Sequence, residues 1–376
     1  MEKVKFGAIG AGGAWVFHEA GCKNSAQIEF TGIFDVNEKV AKRVAARNRA
    51  TKMVAYASVE DLLASDIDAV LVMVPHFLHE ELVVQAAEAG KHVLCEKPMA
   101  TTVEACEHMI TATRQAGVKF MIAENHRFLP AHQYIHDAIA QGLIGKVILV
   151  RAFEGVNEIP GLMKPGFWKG HPLLAGGGSL MDMGAHKFAA MQWMLGDSVA
   201  SIQSWITKEC TTLEEKAEDN ALAMLKFRTG AIGELCVSFT SSSPPNNSIE
   251  IYGTQGTILE NHMWEHPVKI YSSEEQMGPN RLEWTEPEIE HGIYPLYYII
   301  SARIEDVYFA SCISENKDPE FTPEMAQDAI KLVLMGYLSA ETGQVTTAED
   351  LLKVHNSTGT RSILEALNGA VQNNVV

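Results

Sequence analysis

The first 123 residues repeat one pattern: a short, largely apolar run, a turn, then a stretch of helical periodicity. Val4–Ile9 is apolar and runs into glycines, and 14–22 follows as a helix. Ile28–Phe34 is a second strand, closed by Asp35. Residues 37–47 read as a helix, with Asn37 as N-cap and Glu38 in the first turn, where the helix dipole favours a carboxylate. Residues 54–57 form a weak third strand, and Ser58-Val59-Glu60-Asp61 resembles a capping box. Residues 69–74 are a continuous apolar strand stopped by Pro75; 79–89 is a helix closed by Gly90. After the strand 93–95, Thr101-Thr102-Val103-Glu104 opens a helix that Gly117 ends, and 119–123 is the next strand. Strands apolar throughout are buried on both faces. In strict alternation with helices they predict a doubly wound parallel sheet.

The second half changes character. Pro130 starts a helix that ends near Gly142. Strands then follow one another at 147–153, Val199–Thr207, 221–227, 232–239 and 249–252, with Arg228-Thr229-Gly230 at hairpin spacing between two of them. This predicts an α/β domain built on a large, mostly antiparallel open sheet, one face covered by helices. Residues 241–247, Ser-Ser-Ser-Pro-Pro-Asn-Asn, read as a loop, and helices are expected over Leu296–Ser314 and Pro323–Thr342. The acidic stretch 260–292, rich in Trp, His and Pro, has no assignment. A chain of 376 residues suits two domains, expected at 1–125 and 126–376.

Composition excludes several classes. The formal net charge is −17, of the same sign as nucleic acid and anionic membranes, so neither is an expected partner. No run approaches the length of a membrane span, and no apolar leader precedes the first strand. The six cysteines form no C-x-x-C pair, which fits reduced thiols in a cytoplasmic protein.

Within this frame, Gly10-Ala11-Gly12-Gly13-Ala14-Trp15 follows the first strand and opens a helix. The first glycine allows a tight turn, and the second lets backbone approach a pyrophosphate drawn to the helix N-terminus. The position of the third glycine in G-x-G-x-x-G is held by Trp15. Asp35, closing the second strand, suits the adenosine ribose hydroxyls and would repel a 2′-phosphate. NAD is therefore favoured over NADP, with Lys39, Lys42 and Arg43 nearby leaving NADP open; a helix cap is the plainer role for Asp35. Cys95-Glu96-Lys97-Pro98 ends an apolar strand, placing Lys97 where open α/β sheets bind ligands. Its alternative is a surface ion pair with Glu96. Further on, Gly176-Gly177-Gly178-Ser179 precedes a nearly all-apolar helix, capped by Ser179 and running to about Leu195. Asp182 and His186 would share one face of it. That pair suits a base oriented by an acid, or a satisfied core hydrogen bond. His132 and His136 read as helix-surface histidines, the remaining Trp and Met residues as core, and no metal site is expected.

Together these elements resemble the Gfo/Idh/MocA family of oxidoreductases. The resemblance rests on the glycine turn, Val74-Pro75 followed by His79, Gly90-Lys91-His92-Val93 running into Glu96-Lys97-Pro98, Asn125-His126-Arg127-Phe128-Leu129-Pro130, Asp182-Met183-Gly184-Ala185-His186 and Tyr252-Gly253-Thr254-Gln255-Gly256-Thr257. It implies an N-terminal Rossmann domain and a C-terminal domain whose open sheet builds a homo-oligomer, dimer or tetramer. It implies a sugar, glycoside or cyclitol substrate and a catalytic group of Lys97, Asp182 and His186. His186 takes the hydroxyl proton, Lys97 hydrogen-bonds the reacting oxygen, and Asp182 orients His186 or the substrate. The cofactor residues would be Gly10, Gly12, Gly13, Ala14, Trp15, Asp35, Pro75, His79, Glu96, Lys97 and Asn125. His126, Arg127 and Trp168 are candidates for the sugar. The expected function is oxidation of a secondary hydroxyl with hydride passed to NAD. The alternatives are a redox-neutral lyase or glycosidase that retains NAD and passes through a 3-keto intermediate, and a non-catalytic NAD or sugar sensor.

Overall fold

The computed structural model describes residues 2–48, 52–211, 213 and 216–373. The chain forms two compact units. The first comprises Met1–Ala100, Glu104–Asn125 and Tyr298–Gln327; the second comprises Thr101–Val103, His126–Tyr297 and Asp328–Val376.

The first unit holds strands β1 (Val4–Ile9), β2 (Ile28–Phe34), β3 (Val54–Ala55), β4 (Ala69–Val72), β5 (His92–Glu96) and β6 (Phe120–Ala123). They form one sheet in the order β3-β2-β1-β4-β5-β6, every pairing parallel. Its helices are α1 (Trp15–Cys22), α2 (Glu38–Arg47), α3 (Val59–Leu63), α4 (His79–Glu88) and α5 (Val103–Ala116). Asn37 and Ser58 cap α2 and α3 with their side chains. This is the expected doubly wound sheet.

Alternation along β1 shows how both faces are covered. Phe6 points to one side, where its ring meets Phe30 at 5.8 Å and Phe309 at 6.3 Å, and Trp15 meets Phe30 at 5.0 Å, all edge-on. Gly7 and its register partner Gly32 face the other side, where Leu62 of α3 packs so closely that a Cβ at either position would overlap it. Phe309 comes from the far end of the sequence. Residues 298–327 return to the first unit, so a single boundary after residue 125 does not describe the division. The cause is the helix Leu296–Ser314, whose Tyr297, Ile300, Ala302, Phe309, Ala310 and Cys312 are buried.

The second unit adds α6 (Pro130–Ala140), β7 (Val147–Gly155), α7 (Ile159–Leu162), α8 (Pro172–Ala175), α9 (Ala185–Leu195), β8 (Val199–Thr207), β9 (Asn220–Phe227), β10 (Ile232–Ser238), β11 (Asn246–Gly253), β12 (Gly256–Asn261), β13 (Val268–Ser272) and β14 (Trp284–Thr285). The helix shared with the first unit is α10 (Leu296–Ser314), followed by α11 (Pro323–Thr342), β15 (Thr346–Thr347), α12 (Ala348–Ser357) and α13 (Arg361–Asn373). The nine strands form one sheet, β14-β13-β12-β11-β7-β10-β9-β8-β15, in which only the β7–β10 pairing is parallel. Ala221, Ala223, Leu225 and Phe227 of β9 face the buried side, and Ser204 of β8 bonds to Gly336 and Ser339 of α11 there. The opposite side carries exposed Trp205, Leu222 and Met224. Trp205, Trp264 and Trp284 are 50%, 42% and 52% exposed, so the expectation that the remaining Trp and Met residues lie in the core fails for these three and for Met224 and Met325. The unassigned 260–292 contributes β13 and β14, and β11 begins at Asn246, inside the expected loop.

If the returning helix completes the core of the first unit, Phe309→Ala lowers the unfolding free energy by about 3–5 kcal/mol, read from guanidinium denaturation. A loss below about 1 kcal/mol would contradict the assigned contact.

Candidate active site

In a parallel sheet all strands end at the same edge, and the chemistry of the first unit gathers at the carboxyl edge. Gly10 follows β1 with φ +92°, and a Cβ there would lie 2.2 Å from the Met73 carbonyl oxygen, so both conformation and contact require glycine. Gly12 and Gly13 differ: a Cβ on either would meet nothing within 4 Å. Internal packing makes no demand for glycine there, whereas close approach of a phosphate to the backbone does. The first turn of α1 has no side-chain cap, leaving its N–H groups for such an anion. The residues present thus fit a dinucleotide. Trp15 is buried against Phe30, so its backbone is what it offers a ligand.

Asp35 accepts from Ala11 N–H (2.9 Å) through Oδ2 and from Asn37 N–H (2.8 Å) through Oδ1. It ties the glycine turn to the segment ahead of α2, and Asn37 is the helix cap. After β4, Pro75 is half-buried. His79 is wholly buried, with Nδ1 2.9 Å from the Pro98 carbonyl and Nε2 2.9 Å from the Val74 carbonyl. Burial holds its pKa below the usual range, and its side chain pins the turns after β4 and β5 from inside. Lys97 is half-buried at the end of β5, where its N–H donates to Glu96 Oε2 (3.1 Å). Asn125, just past β6, donates from Nδ2 to Ser301 Oγ (3.2 Å).

In the second unit, the three glycines at 176–178 have a specific cause. Gly176 and Gly177 have φ +84° and +140°. A Cβ on Gly177 would overlap the Tyr337 hydroxyl, and one on Gly178 the Glu218 carbonyl oxygen. The Glu218 carboxylate accepts from Gly178 N–H (3.0 Å), Leu180 N–H (2.8 Å) and Tyr337 O–H (2.9 Å). It anchors the segment that carries Asp182. Ser179 does not cap with its side chain; a wider π turn spans Leu180–Gly184 before α9 begins, which changes the expected α-helical spacing of Asp182 and His186. Asp182 Oδ2 pairs with Lys169 Nζ at 2.9 Å, and Glu158 lies 3.6 Å from the same nitrogen. Burial would lower the pKa of Lys169, but Asp182 and Glu158 outweigh it and keep the ammonium charged.

The His186 ring stacks on His126 at 4.3 Å and 20°. His126 is fully buried, with no hydrogen-bond partner on either nitrogen, and burial together with His186 and Lys187 drives its pKa well below the usual value. Arg127 lies over the Trp193 ring at 4.7 Å, and Trp168 is half-buried beside Phe167. His136 stacks on Trp193 at 4.6 Å, but His132 is wholly buried instead of lying on the helix surface. It sits with His262 and Glu260, their ligand atoms within 4.8 Å of one another, a grouping that sequence spacing does not reveal. His262 Nδ1 lies 3.0 Å from Glu260 Oε1 and His132 Nε2 3.7 Å from Oε2. Burial would raise the Glu260 pKa, yet the two histidines hold it far below the usual carboxylate range; burial pushes His262 down to about 4. The arrangement is that of a carboxylate hydrogen-bonded to His262 with His132 close to its other oxygen.

Sequence reasoning missed Lys169, Glu218 and Tyr337. No local pattern marks them, because their partners lie 11 to 119 residues away.

A Rossmann sheet with an open glycine turn and a lysine at its carboxyl edge defines a nucleotide-dependent oxidoreductase. Residues 4–124 match the family model described as an oxidoreductase family with an NAD-binding Rossmann fold, and residues 132–259 match the GFO/IDH/MocA C-terminal domain. The chain belongs to the Gfo/Idh/MocA family. It is similar to 1,5-anhydro-D-fructose reductase of Ensifer adhaerens, 34% identical over 60% of this chain and 67% of that protein. Myo-inositol 2-dehydrogenase of Thermotoga maritima is 25% identical over 89% of this chain and 94% of its own. The fold is also that of a levoglucosan dehydrogenase solved in complex with NADH: TM-score 0.82 at 22% identity, covering 92% of this chain and 99% of that one. No helix among the described residues is long and apolar enough to cross a membrane.

Burial pushes the Glu218 pKa up to about 7 despite its three donors. A carboxyl whose folded pKa lies above its unfolded value stabilises most at low pH, and that contribution fades as pH rises from about 4.5 to 7. Wild type therefore loses up to about 3 kcal/mol across this window relative to Glu218→Gln, measured by denaturation at stepped pH. Identical pH profiles for the two proteins would contradict the assignment.

Proposed function

We propose that the protein oxidises a secondary hydroxyl of a sugar, glycoside or cyclitol to a ketone, or runs the reverse reduction, with NAD as hydride partner. The observation that carries this reading is the glycine turn: Gly12 and Gly13 face open space beside an Asp35 already fixed by Ala11 N–H. Asp35 would meet ribose hydroxyls and repel a 2′-phosphate, which favours NAD over NADP. The named relatives join the family to sugars and inositol, and this is the support for the substrate class.

When bound, NAD accepts a hydride from the carbinol carbon. The remaining steps fall to side chains. His186 takes the hydroxyl proton as the carbon–oxygen double bond forms, and its stacked partner His126 is neutral. Lys97 hydrogen-bonds the reacting oxygen, where developing negative charge is favoured by an ammonium donor. Asp182, paired with Lys169, is held as a carboxylate that orients the substrate or His186. His126, Arg127 and Trp168 are the proposed sugar-facing set.

Incubation with NAD and a panel of sugars, glycosides and inositols should yield NADH with one polyol class, followed by absorbance. Lys97→Ala and His186→Ala should each lower kcat by about 10²–10⁴-fold. Product formed without net NADH, with nicotinamide still bound, would contradict the dehydrogenase reading and favour the redox-neutral lyase or glycosidase.

A homo-oligomer is proposed through the uncovered face of the nine-stranded sheet, where Trp205 pairs with Leu222 beside Met224. Trp205→Glu combined with Met224→Glu should shift light-scattering mass to the monomer. An unchanged oligomer would exclude this face.

A further inference from the structure

One buried group in the second unit has no part in the reaction proposed above. His132 comes from α6, Glu260 from β12, and His262 follows just beyond the end of that strand. All three are wholly buried, and each offers a ligand atom within 4.8 Å of the others. Their hydrogen bonds leave the group incomplete. His132 Nδ1 lies 2.8 Å from the His126 carbonyl oxygen, which only accepts, so Nδ1 carries a proton. His132 Nε2 lies 3.7 Å from Glu260 Oε2, too far for a hydrogen bond. Neither of these atoms has a hydrogen-bond partner among the described residues, and neither has His262 Nε2. Three such atoms in one buried group are costly as they stand, and a shared cation removes much of that cost.

We infer that His132, Glu260 and His262 bind one divalent transition-metal ion of the zinc class. Ligand atoms about 2.0–2.1 Å from a tetrahedral zinc ion stand roughly 3.4 Å apart. The distances from His262 Nδ1 to Glu260 Oε1 and from His132 Nε2 to Glu260 Oε2, 3.0 and 3.7 Å, bracket that spacing. His132 already has the outer contact of a metal-bound imidazole, its far nitrogen donating to a backbone carbonyl. His262 serves as a ligand in the tautomer that carries its proton on Nε2, and the ion takes the place of the Nδ1 proton beside Glu260. His291 Nε2, 3.0 Å from the His262 carbonyl oxygen, holds the backbone of that ligand. Three protein ligands leave a fourth position, for water or a further donor. His126 stands edge-on to His132 and His262, 5.6 Å from each, and stacks on His186, so the site lies one ring behind the proposed base.

Lys187, also buried, donates to Asn247 Oδ1, and its charge acts against a cation at His262. Net charge therefore does not draw the ion in. The donor atoms must select it, and two imidazoles with one carboxylate suit Zn²⁺ better than Mg²⁺ or Ca²⁺, which take oxygen ligands.

The test is the metal content of the full chain purified without chelator, followed by removal of metal and calorimetric titration with Zn²⁺. One ion per chain is expected. Co²⁺ in its place should give the visible absorption of a tetrahedral site, and excess Mg²⁺ or Ca²⁺ should not displace it. His132→Gln and Glu260→Gln should each weaken Zn²⁺ binding about 100-fold or more. Where a variant does not fold, the Co²⁺ spectrum of the wild type decides. A wild type that carries no ion and takes up neither Zn²⁺ nor Co²⁺ overturns the inference, and the group is then a histidine–carboxylate cluster held by a proton or a water. Zn²⁺ bound as tightly by both variants overturns it too, because the ion then sits elsewhere. None of these readouts uses NAD or a sugar, so the outcome is independent of the reaction proposed above.

Discussion

A parallel sheet whose strands are apolar on both faces is stable only when both faces are covered, and the rest of the first unit follows from how that is done. Gly7 and Gly32 let Leu62 of α3 sit directly on one side. On the other, Phe6 and Phe30 are met by Trp15 of α1 and by Phe309 of α10, which arrives from some 300 residues downstream. The helix that completes this core also carries Asp306 to His18 and Ser301 to Asn125. Core packing and the placement of polar groups near the carboxyl edge are therefore one event: α10 cannot shift without moving the partners of His18 and Asn125.

The second unit solves a different problem. Asp182 and His186 lie in an almost wholly buried segment, where a misplaced charge is costly. Glu218 and Tyr337 fix the start of that segment through three hydrogen bonds, and the glycines exist because no Cβ fits between them. Lys169 then neutralises Asp182. The rigid backbone is set by one buried carboxyl, and the charge balance by another.

Features that depend on neighbours in sequence were legible before the structure. The apolar runs became the six parallel strands, Asn37 and Ser58 are caps, and both late helices have the expected bounds. Features that depend on distant partners were not. His18 and Asp306 are 288 residues apart, and nothing near either marks the pairing. The wide turn at 180–184 follows a segment held by Glu218, 38 residues away from Leu180, which a helical wheel cannot register. His132 follows a pattern that suits a surface, yet Glu260 and His262 enclose it. Strands β13 and β14 are short and flanked by Pro, Trp and Glu, so their pairing along the sheet edge leaves little period to read.

The central claim is that this chain moves a hydride between a polyhydroxylated carbon and nicotinamide. The most direct measurement uses a polyol that the enzyme turns over, deuterated at the carbinol carbon, with unlabelled NAD and mass spectrometry of the recovered nucleotide. Deuterium carried into the reduced nicotinamide, one atom per ketone formed, is the result predicted. Ketone or cleaved product with no label in the nucleotide would contradict it.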